Sequence, residues 1–441
     1  MTSPCTIRLA AVAALICCLP ATAQTPPGMP QGTGAPPAFM AQIRDAAVRI
    51  CSGGIDTPPG PAATPVDGTE FSTPDGGGSL RDWRLGNGLE LRASRLDTTG
   101  RGSLYFIDVY RPAPAGGTAQ PVLRAVTDGQ CRFQGGQDVV YADPEMPALA
   151  LRRYGPDLNP AGRPQPLNPA LPTTGSANCG VQVALLDTGV NYLLDPIAER
   201  LAYGPDGALI GRDYREGDAL PFDFGFPQGA PDPRISPFSP RFHGTGVASA
   251  FLDVAPPQAC LAPYRYLPEP GASAHPDAST MIDEMAAAGA RIVIVSSGRE
   301  RAWPEFDAAM AAHPEVLFVI AAGNDGRDLA TMPTYPAAYR GENVLVVAAS
   351  DADGRLWPGS NRGAVDLAVP AVDLPTRVAS GQIEPLTGTS IAAPRVAGFA
   401  ARLAATEDPE GAAGLRAAVL AATQPGPDGV PLLPEAAFRG P

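Results

Sequence analysis

The chain contains no lysine: all 32 of its basic residues are arginine. That absence excludes a serine–lysine dyad and any Schiff-base chemistry. Histidine is nearly as scarce, with three copies, so the search for an imidazole base is short. No Cys-x-x-Cys and no Cys/His cluster with zinc spacing occurs, which leaves no cysteine-held metal to expect. After the first 23 residues no apolar run approaches the ~18 residues of a membrane helix, so no membrane span is expected. Acidic residues outnumber basic ones, 45 to 32, for a net charge of −13. Such a balance favours solubility and argues against nucleic acid as a partner. At 441 residues the chain is long enough for a large core and more than one domain.

The beginning of the chain has the pattern of an export signal. Arg8 gives a weak positive region, Leu9 to Leu19 is apolar, and Ala21-Thr22-Ala23 fits a cleavage site. Residues 1–23 are therefore expected to be a signal peptide, with a periplasmic or extracellular destination. Ile16 and Cys17 are poor small residues to precede a lipidated cysteine, which speaks against a lipoprotein. Removing this segment leaves Cys51, Cys131, Cys179 and Cys260. An even count in an exported chain suggests two disulfides, with three pairings open. The pairs Cys51–Cys131 and Cys179–Cys260 are favoured because each would staple one domain, by roughly 4 kcal/mol in a chain-entropy description.

Residues 24–37, rich in Pro, Gly, Thr and Gln, read as a disordered arm. Ala38 to Ile50 has helical spacing, and Gly53 to Gly78 reads as a loop. Leu89–Arg95, Leu104–Tyr110, Val122–Val126 and Val139–Tyr141 read as strands. Residues 38–154 thus form a small α+β N-terminal domain. Residues 155–178 read as a Pro-rich linker. Beyond it, Val181–Leu186, Arg291–Val295, Val316–Ile320 and Val344–Ala348 are almost continuous apolar runs, as in parallel strands covered on both faces. Helical stripes alternate with them: Val247, Ala250, Phe251 and Val254, then Ala392, Val396, Phe399 and Leu403. The fold class is α/β, layered, with a mostly parallel sheet over residues 179–425 and a C-terminal tail over 426–441.

Ligands of such sheets bind beyond the carboxyl ends of the strands. Asp187, Ser296-Ser297-Gly298 and Gly323-Asn324-Asp325 each follow one of the apolar runs. Two further runs bring an imidazole and a hydroxyl. His243 precedes Gly244-Thr245-Gly246 at the start of a striped helix. Ser390 opens the helix Ile391–Ala405, where free N–H groups favour an oxyanion. Pro394 is compatible with the first turn of that helix. His275 and His313 each precede proline in exposed settings. An acid that fixes the imidazole, and an imidazole that takes a serine proton, make an acyl-transfer relay. Each group also has an ordinary use: Asp187 and Asn324 in turns, Ser390 as a helix cap.

Four motifs in order then resemble the subtilisin-like serine proteases, the subtilases: Val183-Ala184-Leu185-Leu186-Asp187-Thr188-Gly189, His243-Gly244-Thr245-Gly246-Val247-Ala248-Ser249, Ala321-Ala322-Gly323-Asn324-Asp325-Gly326 and Gly388-Thr389-Ser390-Ile391-Ala392-Ala393-Pro394. The resemblance covers roughly residues 179–425. It implies a subtilisin-like layered fold, with Ser390 as nucleophile, His243 as general acid/base and Asp187 orienting it. It implies an oxyanion hole from Asn324 and the Ser390 N–H. Ser296, Ser297 and Gly298 would pair with an extended or unfolded polypeptide substrate by strand addition. Ala321, Ala322 and Gly323 would form the opposing wall of the first specificity pocket. No cofactor is required by this chemistry and no metal ligand is assigned; calcium sites occur in many relatives, but their ligands do not map onto this chain. Arg395 stands where many members carry His, and Ser297 where they often carry Leu. The 191–240 segment, with Phe222-Asp223-Phe224-Gly225-Phe226, does not follow the family pattern.

The N-terminal domain occupies the place of an inhibitory pro-region, which would make the chain a zymogen with intramolecular inhibition. Its length and its expected disulfide fit a retained accessory domain instead, and both outcomes stay open. The expected activity is that of an exported serine endopeptidase acting through an acyl-enzyme. The alternatives are a catalytically silent subtilase fold used for binding, and an esterase of α/β-hydrolase type. The last would place its serine in G-x-S-x-G with the order Ser, acid, His, which is not the order found.

Overall fold

A computed structural model describes residues 34–73, 76–98, 102–112, 119–141, 148–175, 179–214, 217–223, 238, 242–266 and 277–439. The chain divides into two units. One takes Met1–Asn168 and Phe226–Pro240, the other Pro169–Gly225 and Arg241–Pro441.

In the first unit helix α1 (Pro37–Gly53) precedes eight strands: β1 (Thr64–Thr73), β2 (Gly76–Arg84), β3 (Glu90–Thr98), β4 (Gly102–Arg111), β5 (Gln120–Asp128), β6 (Phe133–Tyr141), β7 (Ala148–Tyr154) and β8 (Gln165–Pro166). The strands pair in chain order, each antiparallel to the next. Pro37 begins α1 where its missing N–H costs nothing. Met40, Ile43, Ala47 and Ile50 lie on one face of that helix and share a core with Trp83, Leu91, Ile107 and Leu123. Cys51 is bonded to Cys131, with 5.4 Å between their Cα atoms. A buried ion pair crosses the sheet: Arg124 Nε and Nη2 donate to the two oxygens of Asp108 at 2.6 and 2.7 Å. The Arg124 guanidinium also lies 4.8 Å from the Phe106 ring centre and 5.5 Å from that of Phe238, which is 1% exposed.

Three sequence expectations change here. The loop expected at Gly53–Gly78 holds β1 and the start of β2; its Thr, Asp and Gly residues give no apolar alternation, because much of β1 faces water. Of the expected arm, residues 34–37 are described and are tied down, the Ala35 N–H donating to the buried carboxylate of Asp138 at 2.7 Å; residues 24–33 and the expected signal peptide lie outside the described residues. The expected linker is not free chain either. Its residues form β8, bury Leu167 in the first unit, and give the Pro169 and Pro172 carbonyls to the hydroxyls of Tyr192 and Tyr203 in the second. Proline lacks a donor but keeps its acceptor.

The second unit runs β9 (Val181–Asp187), α2 (Asp195–Ala198), β10 (Arg212–Asp213), α3 (Gly244–Leu252), β11 (Ala259–Arg265), α4 (Ala278–Ala287), β12 (Ile292–Val295), α5 (Pro304–Ala312), β13 (Leu317–Ala321), β14 (Val344–Ser350), β15 (Leu367–Pro370), β16 (Leu374–Arg377), β17 (Ile383–Leu386), α6 (Thr389–Thr406), α7 (Gly411–Ala421), β18 (Gln424–Pro425) and β19 (Pro431–Leu432). Nine strands form one sheet in the order β10-β11-β9-β12-β13-β14-β15-β19-β18, parallel except for the last pair. Strands β9, β11, β12 and β13 are buried along their whole length, the reason β12 and β13 are unbroken apolar runs and β9 nearly so. The chain fills the sheet on one side of β9 and then continues on the other. The switch point of the topology therefore lies between β9 and β12. Cys179 is bonded to Cys260 of β11.

The tail expected from residue 426 onward belongs to this unit. Leu432 pairs with Ala368 of β15, and Leu433 is fully buried. Arg395 of α6 is 4% exposed, donates to the Pro370 carbonyl and to Glu435 (2.7 Å), and stacks 4.0 Å from the Phe438 ring centre. Short strands and a single turn carry too little pattern to be read from sequence. Truncation after Pro425 should strip Arg395 of its carboxylate and its stacking ring, leaving the Pro370 carbonyl as its partner, and should lower the thermal unfolding midpoint. A thermal unfolding midpoint equal to that of the full chain would contradict this role for the C-terminal residues.

Candidate active site

Parallel register places the site. Val295 lies beside Leu186 on one side and Ile320 on the other. The next residues, Asp187, Ser296 and Ala321, therefore form one row at the carboxyl edge of three adjacent strands. Neighbouring strands are about 4.8 Å apart, so residues distant in sequence become neighbours without any special loop.

Asp187 is fully buried. Its Oδ1 accepts from the Thr188 N–H at 2.7 Å and faces His243 Nδ1 at 2.7 Å; its Oδ2 is buried without a partner among the described residues. His243 is half-buried and immediately precedes α3. The approach is tight. A Cβ on Gly244 would lie 2.1 Å from the Gly189 carbonyl oxygen, and Gly189 itself has φ +93°. The glycines of Asp-Thr-Gly and His-Gly-Thr thus let the two segments touch. Burial pulls the imidazole pKa down. The adjacent Asp187, by charge and hydrogen bond, and the charge of Asp223 outweigh it and hold the pKa above the ordinary histidine value.

Asp223 is the functional-site residue that sequence reading missed. It is fully buried, and it accepts from Thr188 Oγ1 at 2.5 Å, from the Thr245 N–H at 2.9 Å and from the Thr245 hydroxyl. Burial pushes its carboxyl up to about 6, against the pull of those hydrogen bonds. The available signal was an acid between Phe222 and Phe224, a poor place for a charge unless it has partners.

Ser390 is the second residue of α6. Its hydroxyl donates to the Ser296 carbonyl at 3.2 Å, and the Ser296 hydroxyl returns a bond to the Ser390 carbonyl at 3.4 Å. Pro394 explains the second bond. It is the sixth residue of α6, past the first turn where sequence reading placed it, and it has no N–H for the carbonyl four residues back. Among the described residues Ser390 makes no hydrogen bond to His243. The structure joins Asp187 to His243 directly and brings Ser390 to the neighbouring strand of the row.

Thr389, fully buried, orients Asn324: its N–H and hydroxyl both donate to Asn324 Oδ1, at 2.9 and 2.8 Å. The Asn324 amide nitrogen then has no partner among the described residues. It would lie 3.1 Å from a Cβ on Gly388, whose φ is +145°. A cleft of about 170 Å³ opens beside these groups, lined by Ser296, Ser297, Gly298, Ala321, Gly323 and Asn324, together with Asp325, Thr334, Thr389 and Ser390. Ala322, expected in its wall, does not line it. That residue is fully buried and its carbonyl accepts from Asn361 at 2.8 Å. Thr334, not singled out in the sequence, lines the cleft with a buried hydroxyl that has no partner among the described residues.

His313 is held away from this edge by Asp283 (2.7 Å) and Glu315 (2.9 Å), and His275 lies outside the described residues. Among the described residues no group of three or more His, Cys, Asp or Glu is placed to hold a metal ion, and no helix is long and apolar enough to cross a membrane.

The field at His243 has a direct test. In Asp187→Asn, burial acts with only Asp223 opposing it, so the imidazole pKa should fall. Proton NMR titration of the three-histidine protein reads this, and an unmoved value would show that Asp187 is not the source of the upward shift.

Comparison with known proteins adds a family. A sequence profile of the Subtilase family matches residues 178–432. A thermophilic serine proteinase from Bacillus sp. (strain AK1) is 31% identical over 245 residues, 53% of this chain and 53% of that protein. Thermitase from Thermoactinomyces vulgaris is 29% identical over 288 residues, 63% of this chain and 90% of its own length. The match thus takes in about half of the Bacillus relative and most of thermitase. The crystal structure of a cold-adapted subtilisin-like serine proteinase overlaps 60% of this chain and 90% of its own, at 20% identity and a TM-score of 0.46. With its profile match spanning more than half of its length, the chain belongs to the subtilase family.

Proposed function

We propose that this protein is an exported serine endopeptidase that cleaves extended polypeptide through Asp187, His243 and Ser390. The observation that carries the reading is the 2.7 Å contact between His243 Nδ1 and the buried Asp187 carboxylate, made on the row from which Ser296 reaches Ser390. In the reaction the Ser390 hydroxyl leaves the Ser296 carbonyl and gives its proton to His243 Nε2 as its oxygen attacks the scissile carbonyl. Asp187 stabilises the imidazolium that forms. The carbonyl oxygen gains negative charge and takes hydrogen bonds from Asn324 Nδ2 and the Ser390 N–H. The imidazolium then protonates the leaving amine, and water releases the acyl group by the same route.

Ser297 and Gly298 continue from β12 without a strand partner among the described residues, which suits backbone pairing with an extended chain. The cleft beside them takes one side chain of that substrate, next to the Thr334 hydroxyl. Every group in the proposed chemistry is one of this chain's own, and no cofactor is needed.

The Ser390–Ser296 bond is the one observation on the side of a silent, binding-only fold. A fluorophosphonate decides between the readings. Wild type should label and Ser390→Ala should not, with peptide cleavage falling by about a thousandfold or more. Wild type that neither labels nor cleaves unfolded protein overturns the peptidase reading. Asn324→Ala should lower kcat by about a hundredfold or more, a figure carried over from loss of the like donor in subtilisin.

The pH profile follows from the raised His243 pKa. The neutral imidazole is the base, so activity is full above that pKa and is lost as pH falls through it. The acid limb of kcat/KM should lie above ~6.5, the unperturbed value. A rate flat from pH 5 to 8 with chemistry limiting counts against His243 as base.

The N-terminal unit is proposed to stay with the active protein. Phe238, five residues before His243, belongs to that unit and is buried beside Arg124; removing residues 24–168 would strip its cover. The intact mass of the active protein should correspond to a start near Gln24. A product starting between residues 156 and 178 would mean a cleaved pro-region.

A further inference from the structure

We propose that Asp223 is a positioning residue for His243: its buried carboxylate fastens the residue after Asp187 and the first residues of α3 to one point, so that the imidazole meets Asp187 in a single orientation. The inference rests on the peptidase reading above.

A helix start leaves N–H groups that a cap side chain normally satisfies. Here the residue in the cap position is His243, and its ring is committed to Asp187, so it makes no cap bond. Other groups supply what it cannot. Thr188 Oγ1 accepts from the Gly244 N–H at 2.7 Å, and Asp223 Oδ2 accepts from the Thr245 N–H at 2.9 Å. The His243 N–H is shared between Thr188 Oγ1 at 3.2 Å and Asp223 Oδ1 at 3.3 Å. Thr188 and Thr245 then give their hydroxyl protons to Asp223, one to each oxygen. The carboxylate therefore accepts four donors from two segments that lie 35 and 20 residues from it in sequence. It replaces the missing cap and leaves the His243 side chain available for chemistry. A carboxylate at a helix N-terminus is also favoured by the helix dipole.

Asp223 is fully buried, so it has no route to substrate and acts through His243. Its charge acts as well as its shape. The carboxylates acting on His243 are Asp187, at the end of β9, and Asp223; the charged groups facing Asp223 are Asp187 and His243. Among the described residues no arginine joins them.

The test uses the full chain. Asp223→Asn keeps the shape, but its NH2 must face the Thr188 hydroxyl or the Thr245 donors, so at least one bond is lost along with the charge. Expected are a loss of about ten- to hundredfold in kcat, a KM within about twofold, and a lower His243 pKa, read by proton NMR and as an acid limb moved to lower pH. Thr245→Val removes the hydroxyl bond to Asp223, and with it the acceptor of the Asn191 N–H, but keeps the charge. It should lower kcat and leave the acid limb in place. Asp223→Asn that folds with unchanged kcat and an unmoved His243 pKa overturns the proposal, even if its melting temperature falls, since that is what a purely structural role gives. If Asp223→Asn does not fold, Thr245→Val decides: full kcat in that variant overturns the proposal. Failure of the peptidase reading is recognised separately, by wild type that does not react with the fluorophosphonate. The His243 titration then still tests Asp223, because it needs no turnover.

Discussion

Everything at the site depends on the register of three parallel strands. Leu186, Val295 and Ile320 lie side by side, so the residue that follows each is delivered to the same edge. β9 supplies the buried acid, β12 the serine pair that receives Ser390, and β13 the start of the turn that carries Asn324. A slip of one residue in β12 would turn Ser296 to the other face of the sheet and part it from Ser390. The unbroken burial of these strands prevents the slip, because Ile292 to Val295 are all enclosed. The same apolar run that makes the strand legible in sequence therefore also fixes the geometry of the chemistry beyond it.

The second constraint comes from α6. Its first residues do three jobs within one turn. Gly388 takes a backbone conformation that leaves room for Asn324, Thr389 fixes which end of the Asn324 amide faces out, and Ser390 brings the hydroxyl. Pro394 then denies the Ser390 carbonyl its helical donor, and the Ser296 hydroxyl takes it. Substitution of Gly388, Thr389, Ser390 or Pro394 would thus disturb a different contact in each case.

What could be read from the sequence follows from what leaves a periodic or chemical trace. The strands buried on both faces were visible as apolar runs, and the scarcity of histidine singled out His243. Asp187, Asn324 and Ser390 were visible because each follows or opens such an element. Asp223 left no comparable trace. It sits in a Pro-rich stretch without periodicity, and its importance arises from Thr188 and Thr245, which only folding brings to it. Thr334 was hidden for the same reason, since its place in the cleft is set by close packing against Gly298. In the first unit, β1 is largely solvated and carries Gly, Thr and Asp, and β2 opens on three glycines, so no apolar alternation marks this region. The C-terminal residues escaped because one β-bridge and one helical turn are shorter than any period.

The lysine-free composition also gains a physical meaning. Arginine forks hold carboxylates at two points and stack on rings, which an ammonium group does less well. Arg124 combines Asp108 with the rings of Phe106 and Phe238 in the first unit. In the second, Arg395 combines Glu435, a carbonyl and Phe438, and Arg265 pairs with Asp213. These guanidinium groups are buried and committed to structure. Among the described residues, the charges that raise the His243 imidazole pKa are the two carboxylates behind it. A base surrounded in this way binds its proton more tightly than burial alone would allow. The negative field that holds His243 in place is therefore the same field that raises its affinity for a proton.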